Sequence, residues 1–389
     1  MPTATDGFIG QTFLPDDKGP CIADVPRWQR PRDVEAFPDR LLTDNQDMIR
    51  LGVIGCGVIA TYGHLPAILQ TAGLSLYAVM DTDPQKLAEA QQRFNVPNGF
   101  DNIDAFMQSG IDAVVICSPA PVHHHDVMAC ARYGKPALCE KPLAMSESEA
   151  QQMIDVMRDA RLPLYVGFTY RFAPAAMEIH RLLREGVIGE VRSLRLIYVW
   201  DCHGKYNRRG DAASGLYDRR VGRMLEGGPM VDCGVHQIDL ARWWTGQEVR
   251  RVAGHGAWVE TEGYHFPDHV YLHMNHQGGV HTTVEISFTY GHTALEPRVE
   301  FVYELIGSDG LIRYDRQTRT FECVTRAGTK TLEWTEEKNF NGMYAEFERA
   351  LRTGDAGQMP TAADGLAATR IARIGTEVAV AGRDSAPNV

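Results

Sequence analysis

Ile49-Arg-Leu-Gly-Val-Ile54 runs directly into Gly55-Cys-Gly57-Val58-Ile59-Ala60, and this short stretch decides how the chain is read. Leu51, Val53 and Ile54 form the apolar run of a buried strand. The G-x-G-x-x-A turn then leads into an apolar helical face at Leu65, Ala67, Ile68 and Leu69, with Pro66 marking a kink or a fresh first turn. Strand, glycine turn and helix in that order place a pyrophosphate on free backbone N–H groups at a helix N-terminus. Gly55 permits the tight turn, Gly57 lets a phosphate approach the backbone, and Ala60 is small enough for close helix–strand packing. Residues 74–80 read as a second strand, and Asp81 at its end is spaced to accept from a ribose hydroxyl. A carboxylate there favours the 2′-hydroxyl of NAD and repels the 2′-phosphate of NADP, and no arginine stands beside Thr82 and Asp83.

The alternation continues downstream. Residues 84–94 read as a helix with Asp83 as N-cap, 113–118 as an apolar strand ending at Pro119, and 123–133 as a helix closed by Gly134. A short strand at 137–139 runs into Glu140-Lys141-Pro142, Ser146 opens a helix with a capping box to Glu149, and 164–167 is another strand. Repeated βα units with apolar strands predict a parallel sheet covered on both faces, an N-terminal Rossmann dinucleotide-binding domain over 49–170.

After a helix at 174–186 the pattern changes. Strands are expected at 190–200, 250–260, 268–276, 280–290, 299–306, 311–315 and 320–334, with Gln277-Gly-Gly279 as a hairpin turn. Val270, Leu272 and Met274 alternate with His269, Tyr271 and His273, so one face is expected to be buried and the other aromatic and semi-polar. Helices at 341–353 and 361–381 close the chain. Residues 171–389 therefore read as a mixed, largely antiparallel β-sheet domain covered by helices on one face, for substrate binding and for homodimer or homotetramer formation through the sheet. Residues 1–48 carry proline and isolated Phe8, Phe13, Trp28 and Phe37, the pattern of an extended arm that is either a tail or a strap over the cofactor domain or a neighbouring subunit.

The 389 residues point to two domains, and 44% apolar residues support a sizeable core. A net charge of −11 argues against a general nucleic-acid binder, and no apolar run approaches a bilayer-spanning length. The N-terminus lacks a basic region followed by an apolar one, and the eight cysteines form no C-x-x-C pair; a reduced, cytoplasmic setting is expected. Cys233 with His236, and the run His123-His124-His125, lack a partner pair at a familiar ligand spacing, so no metal is expected.

A third motif is Gly227-Gly228-Pro-Met-Val-Asp232-Cys-Gly234-Val-His236-Gln-Ile-Asp239. If helical, it sets Asp232, His236 and Asp239 at i, i+4 and i+7 on one face. Together with Ser118-Pro119, His123, Gly134-Lys135, Glu140-Lys141-Pro142, Tyr170-Arg171-Phe172 and Ile306-Gly-Ser-Asp-Gly310, the chain resembles the Gfo/Idh/MocA oxidoreductases over about residues 49–382. That resemblance implies that Lys141 contacts the reacting hydroxyl and the nicotinamide ribose, that Asp232 binds or orients substrate, and that His236 takes the hydroxyl proton. It implies a cofactor lining of Gly55, Gly57, Val58, Ile59, Asp81, Ser118, Pro119, His123, Glu140 and Lys141, with Tyr170 and Arg171 toward the substrate and Asp239 structural.

The chemistry accounts for the residue types. Alcohol oxidation sends a hydride to the nicotinamide and a proton to a base; an imidazole titrates near neutrality and an ammonium stabilises the developing alkoxide. The expected reaction is NAD-dependent interconversion of a secondary alcohol and a ketone on a sugar, cyclitol or related polyol. The alternatives are a glycoside hydrolase working through transient oxidation by NAD, and a non-catalytic sugar or nucleotide sensor. The basic run at 203–223, including Arg219, fits either a loop recognising a substrate carboxylate or phosphate or a solvated loop balanced by Asp211, Asp218 and Glu226. Thr169 stands where many relatives carry asparagine.

Overall fold

The computed structural model describes residues 22–25, 48–202, 216–260, 263–296, 298–336 and 338–384, with backbone alone for 22, 216–220 and 384. The described residues within 28–178 and 335–369 form one compact unit, and the remainder form a second.

The first unit is built on six parallel strands: β2 (Ile49–Ile54), β3 (Leu74–Met80), β4 (Asn98–Phe100), β5 (Ala113–Ile116), β6 (Ala137–Cys139) and β7 (Leu164–Val166), in the order β4-β3-β2-β5-β6-β7. The order reverses between β2 and β5, the place where open α/β sheets bind ligands beyond the strands' carboxyl ends. The expected helices are present as α1 (Leu65–Gln70), α2 (Pro84–Phe94), α4 (His123–Arg132) and α5 (Glu147–Asp159). Asp83 caps α2 by accepting from the Gln85 and Lys86 N–H groups. At α5 the Ser146 hydroxyl accepts from Glu149 N–H, while the Glu149 carboxylate returns to Met145 N–H, one residue earlier than in the usual reciprocal box. The short β4 and α3 (Ile103–Met107) were not expected. Neither is long enough to show a hydrophobic period.

The helix after the glycine turn starts at Val58 and passes through a π turn at Ala60–His64 before continuing as α1. The wider turn lies just before Pro66, whose missing N–H could not have closed a regular i→i−4 bond. Late sequence completes this unit. Met343, Tyr344, Phe347, Ala350 and Leu351, from the helix Phe340–Thr353, share one core cluster with Leu51, Val53, Leu65 and Ile68.

The second unit carries a nine-stranded sheet: β1 (Ile22–Asp24), β8 (Val191–Trp200), β9 (Val249–Ala257), β10 (His269–His276), β11 (His281–Ser287), β12 (Val299–Gly307), β13 (Gly310–Asp315), β14 (Thr320–Thr325) and β15 (Gly328–Thr331), ordered β1-β9-β10-β11-β8-β12-β13-β14-β15. Among the described residues, only β11 and β8 of this sheet pair in parallel. Val270, Leu272 and Met274 are completely buried, as their alternation requires. The run 320–334 is a hairpin, β14–β15, rather than one strand; Gly328, at a φ of +119°, follows its turn. Ile22–Asp24 adds an edge strand to β9, while Phe8, Phe13, Trp28 and Phe37 of the arm lie outside the described residues. Helices α6 (Pro174–Arg184), α7 (Leu216–Leu225), α8 (Val235–Thr245), α9 (Phe340–Thr353) and α10 (Ala362–Asp384) complete the molecule. The helix at 216–225 replaces part of the expected basic loop. No helix of the described residues is long and apolar enough to cross a membrane.

Candidate active site

In the first unit, β2 ends at Gly55, which has a φ of +88°. A Cβ there would stand 2.6 Å from the Ser118 backbone nitrogen, so only glycine lets the turn lie against the end of β5. Gly57 differs: a Cβ on it would meet nothing within 4 Å, leaving open space at the helix start. Ala60 is fully buried, Ile59 is half-buried and Val58 is exposed. Open backbone at a helix N-terminus suits a pyrophosphate. Asp81, at the end of β3, accepts from Cys56 N–H at 2.7 Å through one carboxylate oxygen and from Asp83 N–H at 2.8 Å through the other. Each oxygen keeps a lone pair for a ribose hydroxyl while the carboxylate also fixes the glycine turn. The donors and the cradle therefore fit a bound dinucleotide.

The loops after β5 and β6 are tied together. Ser118 donates from its hydroxyl to Asp126 at 2.6 Å, Pro119 is exposed, and His123 is 1% exposed. The two ring nitrogens of His123 lie 3.0 Å from the Pro142 carbonyl and 2.9 Å from the Ser118 carbonyl. Each nitrogen faces a backbone carbonyl, one from either loop, so His123 sits between the two loops. Glu140 is also buried. One carboxylate oxygen meets His64 Nε2 at 2.9 Å and the other accepts from Lys141 N–H at 3.1 Å. Burial pushes the Glu140 carboxyl upward, but the His64 hydrogen bond and charge, with Lys141, outweigh it and leave the group below the usual carboxylate range. Lys141 is half-buried and precedes Pro142 through a cis peptide. It is held from its own N–H by Glu140 and from the Pro142 carbonyl by His123.

Tyr170 and Arg171 sit in a short 3₁₀ turn and are buried. Arg171 forms a 3.5 Å ion pair with Asp364, which also accepts from Thr361 at the start of α10. The Lys338 ammonium lies 5.5 Å from the centre of the Tyr170 ring.

In the second unit, Gly227 and Gly228, at φ +131° and +73°, turn the chain from α7 into a π turn at Met230–Gly234, and α8 follows. Asp232 and His236 therefore do not share one regular α-helix; the wide turn at Asp232 changes the expected i, i+4 relation. Asp232 and His236 are 8% and 5% exposed, and Asp239 is completely buried. Arg223 of α7 reaches within 3.3 Å of the Asp232 carboxylate. The Arg219 side chain and residues 203–215 lie outside what the structure describes.

The motifs did not point to the groups that brace these loops. His64, Tyr344, Asp126 and Asp364 are polar residues within otherwise helical patterns, and only burial sets them apart. An ionisable residue inside an apolar face was the one available signal.

A parallel sheet with an open phosphate cradle at its switch point, a ribose-spaced carboxylate and a braced lysine defines a dinucleotide-dependent oxidoreductase. Residues 49–168 match the oxidoreductase family with an NAD-binding Rossmann fold, and residues 176–313 match the GFO/IDH/MocA C-terminal domain. The chain belongs to the Gfo/Idh/MocA oxidoreductase family. It is 31% identical over 265 residues to inositol 2-dehydrogenase 2 of Saccharopolyspora erythraea, covering 66% of this chain and 71% of that protein. It is 26% identical over 325 residues to myo-inositol 2-dehydrogenase of Thermotoga maritima, covering 80% and 90%. The fold is shared with aldose-aldose oxidoreductase from Caulobacter crescentus, at 21% identity and a TM-score of 0.72 over 86% of this chain and 98% of that one.

Proposed function

We propose that this protein interconverts a secondary alcohol and a ketone on a cyclitol or related polyol, with NAD as hydride partner. The observation that carries the reading is Lys141, held on both sides by buried groups at the carboxyl end of the dinucleotide-binding sheet. The names of the curated relatives, inositol 2-dehydrogenases among them, support the substrate class and do not favour the hydrolase or sensor alternatives. NAD, when bound, accepts or returns the hydride. Gly55, Gly57, Val58 and Ile59 would hold its phosphates and Asp81 its adenosine ribose. Ser118, Pro119, His123 and Glu140 would shape the remaining wall, the last two by fixing loops.

In the oxidation direction, His236 takes the proton from the hydroxyl and the Lys141 ammonium stabilises the alkoxide that develops. Asp232, its charge offset by Arg223, orients the substrate hydroxyls. Tyr170 and Arg171 are assigned to shaping the substrate wall from within, because both are buried and Arg171 is paired with Asp364. We further assign a cytoplasmic setting, supported by seven buried cysteine thiols. We also assign a homo-oligomer formed through the nine-stranded sheet, supported by the row of His269, Tyr271 and His273 on the face opposite the buried valine, leucine and methionine.

The test is NADH production across a panel of inositols, sugar acids and aldoses. The reading expects turnover on at least one cyclitol or polyol. Net hydrolysis of aryl glycosides without release of NADH would contradict it.

A further inference from the structure

A buried polar chain lies behind the lysine loop, entirely within the first unit. Tyr344 of α9 and His64 at the end of the first π turn are both 0% exposed, and the Tyr344 hydroxyl lies 2.7 Å from His64 Nδ1. His64 Nε2 lies 2.9 Å from Glu140, whose second oxygen takes the Lys141 N–H. Glu140 assigns one proton. A carboxylate only accepts, so Nε2 carries a hydrogen, while Nδ1 shares a hydrogen bond with the Tyr344 hydroxyl, which can donate or accept. The imidazole is thus satisfied at both nitrogens.

Packing makes the arrangement specific. The Phe340 and Tyr344 rings stand edge-on to the imidazole, at 5.1 Å and 5.8 Å between centroids. Gly167 leaves room for the carboxylate, since a Cβ there would come within 2.8 Å of it. The π turn belongs to the same construction, because it rotates His64 out of the register a regular helix would impose.

We propose that His64 and Tyr344 are positioning residues for the hydride-transfer reaction, holding Glu140 as an ionised, oriented carboxylate that fixes the Lys141 backbone. The proposal rests on Lys141 acting at the reacting oxygen. The groups that face Glu140 are His64 from the π turn, Lys141 beside it, Cys117 after β5, Cys139 of β6 and Tyr344 of α9. Of these, His64 and Lys141 favour the charged carboxylate. Without His64, desolvation is opposed by Lys141 alone, and Glu140 takes up a proton at higher pH.

The experiment combines His64→Gln, Tyr344→Phe, Glu140→Gln and the double variant His64→Gln/Glu140→Gln. For His64→Gln, kcat should fall about 10- to 100-fold. NAD affinity by fluorescence titration should stay near wild type, and the acid limb of the kcat profile should move to higher pH. Tyr344→Phe keeps the ring and should shift both in the same direction by less. An activity-independent readout is the protonated-carboxyl infrared band of the cofactor-free protein. It should appear at higher pH in His64→Gln than in wild type, and should vanish in the double variant. A folded His64→Gln protein with wild-type kcat, pH profile and infrared titration would overturn the proposal. Lys141→Ala, measured alongside, keeps the two readings apart: full activity in that variant removes the lysine's role whatever His64 does.

Discussion

At the scale of single residues, a carboxylate in this protein commonly does two things. Asp81 fixes the glycine turn through Cys56 N–H and is also the group assigned to the ribose. Asp81→Ala should raise the KM for NAD about 10-fold or more and narrow the preference for NAD over NADP. The ratio is the decisive readout, because loosening the turn would weaken both cofactors equally; an unchanged ratio would remove the ribose contact. His276 makes a separate prediction about stability. Burial first, and Arg242 after it, push its imidazole down to about 4, while its bond to the Gln247 carbonyl works the other way. Below the ordinary imidazole pKa the unfolded chain binds a proton that the folded chain refuses. Stability contributed by this site is therefore full above about pH 6.5 and is lost as pH falls toward 4, by up to about 3 kcal/mol. Urea unfolding across that window should show the loss, and His276→Gln should flatten it. Sequence alone pointed to Asp81 through spacing, but His276 looked like any strand histidine, since only its contact with Thr282 inside the sheet reveals it.

At the scale of elements, the strands and helices of the first unit were legible because each carries its own signal: apolar β2 and β5, the Asp83 cap and the Ser146 box. The two π turns were not. One lies just before Pro66, with Phe340 packed against Gly63, and the other follows a pair of glycines at positive φ; neither leaves a hydrophobic period of its own. Close approach of helix to sheet in the second unit was equally hidden. A Cβ on Gly254 of β9 would strike the Gly375 carbonyl of α10, and a Cβ on Gly375 would strike Leu272 of β10. Gly254→Ala must push the helix off the sheet and should cost about 1–3 kcal/mol. A thermal midpoint equal to wild type would show that the helix is free to move there.

At the scale of the whole molecule, the chain returns late to finish what it began early. Helix α9 supplies Tyr344 and Phe347 to the core beneath β2, so the dinucleotide-binding unit closes only when sequence nearly 300 residues downstream has arrived. No local pattern announces such a return. The alternating face of β10 did announce an outer surface, and Tyr271→Lys on it should lower the mass seen by light scattering while leaving NAD binding intact; unchanged mass would contradict the homo-oligomer proposed through this face. The central proposal is that Lys141 and His236 both act in alcohol oxidation. The most direct measurement is single-turnover NADH formation from a reactive cyclitol or polyol by Lys141→Ala and His236→Ala, with NAD binding measured on the same samples. Both variants should bind NAD near normally and slow hydride transfer by about 10²–10⁴-fold; wild-type rates in either one would contradict the account.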